Sequence, residues 1–271
     1  MNIILFSSKP YDRASFQALA LPGDWQLQFQ DCLLTADTTA LAEGCEVVCA
    51  FINDNLSAPV LERLAAGGTR LIALRSAGYN HVDLKAAERL GLAVVRVPAY
   101  SPHAVAEHAV ALILALNRRI HRAFNRTREG DFSLHGLTGF DLHGKTVGVV
   151  GAGKVGRLLI ERAQALKMLP IVHDPYLAAE TIRMYGAEPV DFDELLARAD
   201  FITLHVPLTG ETANLLNAET LARVKPGCRI VNSATGGLID EAALAEAIRS
   251  GRVAGAAIDV FAKEPPEADN P

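Results

Sequence analysis

TVGVVGAGKVGRLLIERAQAL, residues 146–166, contains the most informative motif of the chain. It places Gly151, Gly153 and Gly156 in a GxGxxG pattern, directly after a strand-like apolar run and at the start of an amphipathic helical pattern. In this context the first glycine allows a tight turn, the second lets the backbone approach a pyrophosphate, and the third lets the helix pack against the strand. The stretch therefore predicts the phosphate loop of a dinucleotide-binding unit, and a strand-to-helix turn without a ligand is the less favoured alternative.

The residues around the glycines indicate which dinucleotide binds. The amides of Lys154 and Val155 open the helix, where they can donate to a phosphate along the helix dipole. Asp174 ends the next strand-like run, where its carboxylate can accept hydrogen bonds from both hydroxyls of an adenine ribose. A carboxylate there repels a 2′-phosphate, so NAD is favoured over NADP. The alternative is that Asp174 is a turn residue of local use before Pro175.

Short, continuously apolar runs alternate with helical patterns along the whole chain. They cover residues 3–6, 47–51, 70–74, 92–97, 146–151, 170–174, 200–206, 228–233 and 253–260. Such runs indicate parallel strands covered on both faces, which is typical of a doubly wound α/β fold. Between the two groups of strands, Pro102 to Arg118 predicts a long buried helix that leaves the first unit and enters the second. We therefore expect two α/β domains, 1–100 and 101–271, with the boundary near Tyr100.

The composition narrows the classes of partner. Half of the 271 residues are hydrophobic and the formal net charge is −5, so nothing in the chain as a whole attracts nucleic acid or anionic lipid. We expect small-molecule partners, no nucleic acid, no membrane and no metal. The start MNIILF lacks the basic region and cleavage site of a signal peptide, so we expect a cytoplasmic protein. The cysteines show no paired spacing and are expected to be reduced and mostly buried; they are Cys32, Cys45, Cys49 and Cys228.

Four further segments carry a family resemblance. They are SAGYNHVDLKAAERLGLAVVRVPAYSPHAVAEHAV, NRRIHRAFNRTREGDFSLHGLTGFDLHGKTVGVVGAGKVG, LHVPLT and GLID. Together they resemble the D-isomer-specific 2-hydroxyacid dehydrogenases, and within them the fermentative D-lactate dehydrogenases, from about Arg75 to Pro271. The resemblance implies a flavodoxin-like substrate domain, a Rossmann NAD domain, and hydride exchange between NAD and a 2-oxo acid such as pyruvate. It also implies a homo-oligomer, a dimer or larger, formed through the long helix after the domain boundary.

The resemblance assigns roles by position. The amides of Ala77 and Gly78 would receive the substrate carboxylate, and Tyr100 would line the substrate pocket. The cofactor would be lined by Gly151, Gly153, Lys154, Val155, Gly156, Asp174, Val206, Pro207, Thr212, Ser233, Ala234, Thr235 and Asp259. Among these, Asp259 would hold the nicotinamide amide. Without the resemblance, Tyr100 reads equally well as a hinge aromatic and Asp259 as a cap at a strand end.

The catalytic groups fit the family less well. Reduction of a 2-oxo acid needs a cation to hold the carboxylate and polarise the ketone, and a general acid to protonate the alkoxide. Glu264 matches the family's glutamate, whereas Thr235 takes the slot of the family's arginine and supplies no charge. The family's histidine falls beyond Pro271, so the chain is expected to be a fragment with a truncated NAD domain. His81 and His205, near the two halves of the site, are expected to be structural.

Three hypotheses follow from these residues. The first is a D-lactate dehydrogenase, and the second is a catalytically impaired NAD-binding protein of the same fold in which Thr235 is a fixed feature. The third is a dehydrogenase for another 2-oxo acid such as glyoxylate. Restoring an arginine at position 235 separates the first from the second, whereas the sequence separates the third only weakly.

Overall fold

The chain folds into two compact units, Met1–Tyr100 and Ser101–Pro271. The computed structural model describes residues 1–264 and 266. Each unit is built on one sheet whose strands all pair in parallel. The doubly wound α/β architecture predicted from the apolar runs is therefore confirmed.

The first unit alternates strands and helices in chain order. Its elements are β1 (Asn2–Leu5), α1 (Pro10–Gln17), β2 (Gln26–Phe29), a 3₁₀ turn (Thr39–Ala42), β3 (Val47–Ala50), α2 (Ala58–Ala66), β4 (Leu71–Leu74), α3 (Leu84–Arg89) and β5 (Ala93–Val95). The strand order is β2-β1-β3-β4-β5, which is the flavodoxin-like order expected for this unit.

Both faces of the first sheet are buried. Along β1 and the residue after it, Ile4 and Phe6 belong to one hydrophobic cluster, while Ile3 and Leu5 belong to another. Successive side chains of a strand point to opposite faces, so the two clusters lie on the two sides of the sheet. This is why the strands read as continuous apolar runs rather than as alternating ones.

The second unit begins with a helix pair. Its elements are α4 (Pro102–Arg118), α5 (Ile120–Arg128), β6 (Thr146–Val150), α6 (Lys154–Ala165), β7 (Leu169–His173), α7 (Ala179–Met184), β8 (Glu188–Pro189), α8 (Phe192–Arg198), β9 (Phe201–Leu204), α9 (Ala218–Arg223), β10 (Cys228–Asn232), α10 (Glu241–Arg249) and β11 (Val253–Ile258). The first helix occupies the residues predicted for it, and it is capped by the Ser101 side chain, which accepts from the amide of Ala104.

The strand order of the second sheet is β11-β10-β9-β6-β7-β8. The chain starts in the middle of this sheet with β6, builds outward through β7 and β8, and then crosses back to β9 on the other side. The junction between β6 and β9 is therefore a topological switch point, where the loops at the carboxyl ends of two neighbouring strands diverge and leave a crevice. Ligands of doubly wound sheets bind at such crevices.

Two strands of the structure were missing from the sequence prediction. They are β2, which reads QLQF, and β8, which has only two residues and ends in Pro189. Both lie at an edge of their sheet, and β2 is exposed at every other residue. An edge strand pairs with one neighbour only and need not be buried on both faces. It therefore lacks the continuous apolar run on which the prediction depended.

Three further features concern the described part of the chain as a whole. All four cysteines are free thiols; Cys32 is exposed, and the other three are buried. None of the helices within residues 1–264 combines the length and apolarity that crossing a lipid bilayer requires. Over the same residues, no three side chains of the kinds that bind metals lie together as a possible ion site.

Candidate dinucleotide site

The glycine loop after β6 has the geometry that its sequence predicts. Gly151 has a φ of +88°, and a Cβ there would approach Val206 Cγ1 to 2.7 Å. A Cβ at Gly156 would collide with the carbonyl oxygen of Gly151, so this glycine allows α6 to start directly against the strand end. A Cβ at Gly153 would meet nothing within 4 Å, because it faces open space. Two of the glycines thus serve close packing, whereas Gly153 borders room for a ligand.

The amino terminus of α6 offers unsatisfied donors at this open space. Gly153 is the N-cap residue of α6 and has no side chain with which to cap it. Lys154 and Val155 form the first turn of the helix, whose amides have no acceptor within the helix. Free amides and the positive end of the helix dipole together make an anion site.

Asp174 follows β7, and its carboxylate is hydrogen-bonded to the glycine loop. Its Oδ2 accepts from the amide of Ala152 at 2.9 Å, inside the glycine loop, and its Oδ1 accepts from the amide of Tyr176 at 3.0 Å. The local turn role and the ribose role were alternatives in the sequence. Asp174 fills the local role, and each carboxylate oxygen still has a lone pair for a ribose hydroxyl.

A side-chain bridge joins the loop after β7 to the loop after β9. The hydroxyl of Tyr176 donates to Glu211 Oε2 at 3.0 Å, and this hydrogen bond raises the pKa of the tyrosine. In the same loop, the Thr212 hydroxyl donates to the carbonyl of Pro207 at 2.6 Å and also accepts from the amide of Thr209. Thr212 therefore stabilises the conformation of the loop after β9. Val206 and Pro207 belong to the same loop and lie at the switch point.

His205 lies at the end of β9, beside the glycine loop. Its Nε2 shares a hydrogen bond of 2.9 Å with the hydroxyl of the buried Thr203, and its amide donates to the carbonyl of Val150. Burial lowers the pKa of this imidazole to about 4. His205 is therefore neutral near pH 7 and serves as a structural partner of Thr203.

The turn after β10 carries Ser233, Ala234 and Thr235. The side chain of Asn232 spans this turn: its Nδ2 donates to the carbonyl of Thr235 at 3.0 Å, and its Oδ1 accepts from the amide of Ala234 at 3.1 Å. The hydroxyl of Ser233 is buried and finds no hydrogen-bond partner among the described residues. A Cβ at Gly236 would collide with the carbonyl of Phe261, so the turn packs directly on the segment after β11.

Asp259 and Glu264 lie in that segment. Asp259 follows β11, its amide donates to the carbonyl of Asn232 at 3.0 Å, and its Oδ1 lies 3.4 Å from Nε2 of His108 on α4. Glu264 is exposed, and its Oε1 accepts from the amide of Phe261 at 3.0 Å. Asp259 thus shares the carboxyl edge of the sheet with the other candidate residues, and Glu264 closes a local turn.

The candidate substrate residues belong to the first unit. The carbonyl of Ala77 accepts from Arg96 Nη1 at 3.0 Å, and the carbonyl of Gly78 accepts from the Ser76 hydroxyl at 2.7 Å. These bonds fix the loop after β4 and leave its amides as the groups that can receive an anion. Tyr100 is 70% exposed, so it is free to contact a ligand.

The residues of the second unit fit a dinucleotide. The open space at Gly153 leaves room for a pyrophosphate at the free amides of α6, and Asp174 directly follows β7, the strand that pairs with β6. The other candidates follow β9, β10 and β11, so the strand ends spread them along one edge of the sheet.

Comparison with known proteins agrees with this geometry. The profile of the D-isomer specific 2-hydroxyacid dehydrogenase NAD-binding domain matches residues 110–271. The D-lactate dehydrogenase of Escherichia coli strain K12 is 46% identical over 264 residues, which cover 97% of this chain and 80% of that protein. The chain belongs to the D-isomer-specific 2-hydroxyacid dehydrogenases. The family resemblance and the NAD cofactor predicted from the sequence are therefore confirmed.

Solved structures of the family superimpose closely. The apo structure of the Escherichia coli D-lactate dehydrogenase matches with a TM-score of 0.88 and 46% identity, over 96% of this chain and 82% of that one. The Aquifex aeolicus D-lactate dehydrogenase, solved with NAD and lactic acid, matches with a TM-score of 0.85 and 28% identity, over 99% of this chain and 83% of that one. This dehydrogenase therefore has the family's fold in both units.

Sequence reasoning missed three residues of this dehydrogenase site, namely Asn232, Tyr176 and Glu211. A signal existed only for the first: Asn232 is a polar residue at the end of a mostly apolar strand, and it precedes a turn that contains serine, threonine and glycine. The bridge between Tyr176 and Glu211 joins two loops that are distant in sequence, so no local pattern announces it.

A pair of glycine substitutions separates the proposed ligand-binding role of Gly153 from the packing role of Gly156. We expect Gly153→Ala to leave the free energy of unfolding within about 1 kcal/mol of the parent, because its Cβ meets no protein atom. The same Cβ occupies the pyrophosphate space, so NADH affinity should fall at least about tenfold. Gly156→Ala is the matched control and should lower the free energy of unfolding by about 3 kcal/mol or more. Urea unfolding and NADH fluorescence titration measure both effects; unchanged NADH affinity of Gly153→Ala would contradict the assignment.

The buried imidazole predicts a pH dependence of stability. The pKa of His205 is about 4 in the folded chain against an ordinary value of 6.5, so the unfolded chain takes up a proton that the folded chain refuses. This part of the stability is complete above pH 6.5 and is lost as the pH falls from 6.5 towards 4. Between about pH 7.5 and about pH 5, His205→Gln should lose roughly 2 kcal/mol less than the parent in urea unfolding. The exposed His143→Gln should behave like the parent, and an equal loss in all three proteins would exclude the mechanism.

Proposed function

We propose that this protein interconverts a 2-oxo acid and a D-2-hydroxy acid with NAD, and that pyruvate and D-lactate are its substrate pair. The observation that carries the proposal is a built dinucleotide site at the switch point of a family member: free amides at α6, open space at Gly153 and a carboxylate at Asp174. The substrate pair follows from the D-lactate dehydrogenases among its relatives. Ser101–Pro271 is then the NAD domain and Met1–Tyr100 the substrate domain.

Different residues bind the different parts of NAD and the substrate in this proposal. The amides of Lys154 and Val155 hold the pyrophosphate, Asp174 receives the adenine ribose, and Val206, Pro207 and the Thr212 loop border the adenine. Ser233, Ala234 and Thr235 line the nicotinamide half, where Asp259 accepts from the carboxamide. When bound, NAD supplies or accepts the hydride. The amides of Ala77 and Gly78 hold the substrate carboxylate, and Tyr100 covers the substrate.

Thr235 limits the chemistry of this site. In our assignment it stands where the family has an arginine, and a hydroxyl cannot make the charge-assisted, bidentate contact that a guanidinium makes with a carboxylate. Removal of one preorganised donor from such a site costs about 100- to 1,000-fold in turnover. Glu264 matches the family's glutamate, so it would be the carboxylate that orients a proton donor. We therefore expect this chain to bind NADH but to reduce pyruvate slowly.

Replacing Thr235 tests the function directly. We expect the parent chain to bind NADH, and Thr235→Arg to bind oxamate, an inert analogue of pyruvate, at least about tenfold more tightly in the presence of NADH. Pyruvate-dependent NADH oxidation, followed by absorbance, should rise in the same variant. Thr235→Gln is the matched control, because it adds length without charge.

Each failure has a separate meaning. A chain that does not bind NADH contradicts the proposed cofactor and with it the dehydrogenase function. A chain that binds NADH but gains neither oxamate affinity nor turnover from Thr235→Arg supports the second candidate, a non-catalytic NAD-binding protein. The absence of a charge at Thr235 is the observation that favours this candidate. Faster turnover of glyoxylate than of pyruvate would replace the substrate pair only.

We also propose that the chain forms a homo-oligomer through the segment that follows α4. Four large apolar side chains are exposed there: Ile120, Phe124, Phe132 and Leu134, at 55%, 58%, 78% and 81%. Arg126 Nη1 donates to the carbonyl of His135 at 2.6 Å and so gives the segment a fixed shape. Exposed apolar groups concentrated on one shaped segment are typical of a contact surface, and a second copy of the chain is the partner that the family resemblance suggests.

The mass of the protein in solution tests this surface. We expect size-exclusion chromatography with light scattering to give a multiple of the 29.0 kDa chain mass. The double variant Phe132→Ser with Leu134→Ser should give the single-chain mass, because it removes the two most exposed apolar groups of the segment. Met184→Ser, at a side chain 77% exposed on α7, is the matched control and should keep the parent mass. A parent chain that is monomeric at micromolar concentration contradicts the proposal.

A further inference from the structure

We propose that Asn232 is a positioning residue for the nicotinamide half of the cofactor. This inference rests on the proposed function. Asn232 is the last residue of β10 and is only 2% exposed, so it does not act as a surface contact. It acts through the two elements that it joins, the turn that carries Thr235 and the strand end that carries Asp259.

Three hydrogen bonds make this junction. The side-chain amide donates to the carbonyl of Thr235 at 3.0 Å, and the side-chain oxygen accepts from the amide of Ala234 at 3.1 Å. The main-chain carbonyl of Asn232 accepts from the amide of Asp259 at 3.0 Å. One residue therefore fixes both the turn after β10 and the start of the segment after β11.

Asparagine is suited to this position by its chemistry. Its short side chain carries a donor and an acceptor on separate atoms, and both are used here. An aspartate would keep the bond from Ala234 but would turn a lone pair towards the carbonyl of Thr235. An alanine would leave both main-chain groups without their partner, in a part-buried place where such groups are costly.

Apart from the Asn232 side chain, the turn after β10 is held at its far end, where the carbonyl of Gly237 accepts from the amide of Asn214 at 2.8 Å. Gly236 packs so closely on the carbonyl of Phe261 that the turn and the segment after β11 must move together. The hydroxyl of Ser233 is buried without a partner among the described residues, so it does not anchor the turn. Loss of the Asn232 side chain should therefore displace the turn and the segment as one body.

The phosphate loop and Asp174 are not hydrogen-bonded to the junction at Asn232. Gly153, Lys154 and Asp174 lie on the loops after β6 and β7, which β9 separates from β10 in the sheet. Their supporting bond, from the amide of Ala152 to Asp174, involves neither the turn after β10 nor β11. A change at Asn232 should therefore weaken contacts to nicotinamide and leave contacts to ADP-ribose intact.

Two ligands separate these halves experimentally. NADH and ADP-ribose are titrated into the parent chain, Asn232→Asp, Asn232→Ala and the control Asn217→Ala by calorimetry. Asn217 also binds main-chain groups with both ends of its side chain, but it does so at the start of α9. We expect both Asn232 variants to bind NADH about tenfold more weakly or worse, with the ADP-ribose affinity within about twofold of the parent. Asn217→Ala should bind both ligands as the parent does.

The remaining outcomes overturn the inference. Equal weakening of NADH and ADP-ribose in the Asn232 variants, including complete loss through unfolding, assigns Asn232 a general structural role. Unchanged NADH affinity shows that the nicotinamide half does not need the junction. Failure of the parent chain to bind either ligand contradicts the proposed cofactor itself, which is a different failure and is visible before any variant is made.

Discussion

The second unit depends on one close approach, that of Gly156 in α6 to the carbonyl oxygen of Gly151. Any side chain at Gly156 would push the helix away from the strand end and remove the free amides of Lys154 and Val155 from the mouth of the crevice. Packing density and anion binding are therefore two results of the same contact. Gly153 faces open space, although Gly151 before it and Gly156 after it are closely packed against protein atoms.

The sequence predicted the parts of this protein that follow from local pattern. The buried central strands, α4 and the glycine loop could be predicted because continuous apolar runs, a proline at a helix start and three spaced glycines each have a local physical cause. The edge strands β2 and β8 could not, since an edge strand needs no fully apolar run. For Asp174 the sequence favoured the ribose role over a local turn role. The structure shows that its carboxylate makes the local bonds, and a carboxylate can serve both roles at once.

The partners of several candidate site residues could not be predicted from the sequence. Asp259 was expected at the nicotinamide, and the structure adds His108 of α4 beside it and Asn232 beneath its amide. Thr212 was expected at the edge of the adenine, and the structure adds that its hydroxyl donates to the carbonyl of Pro207 within the same loop. In each case the residue type was informative and the partner was not, because a residue type does not specify which group the folded chain brings to it.

The double engagement of Asp174 has a consequence for how this site can change during evolution. The carboxylate that is proposed to face a ribose is also the acceptor that keeps the amide of Ala152 in place within the phosphate loop. Replacing Asp174 with a residue that has no acceptor, in order to admit a phosphorylated ribose, would leave that amide unbonded and loosen the loop that is proposed to hold the rest of the cofactor. Coenzyme preference is thus tied to the integrity of the loop, and a descendant that exchanges one coenzyme for the other needs a neutral acceptor at this position before it can accept the new charge.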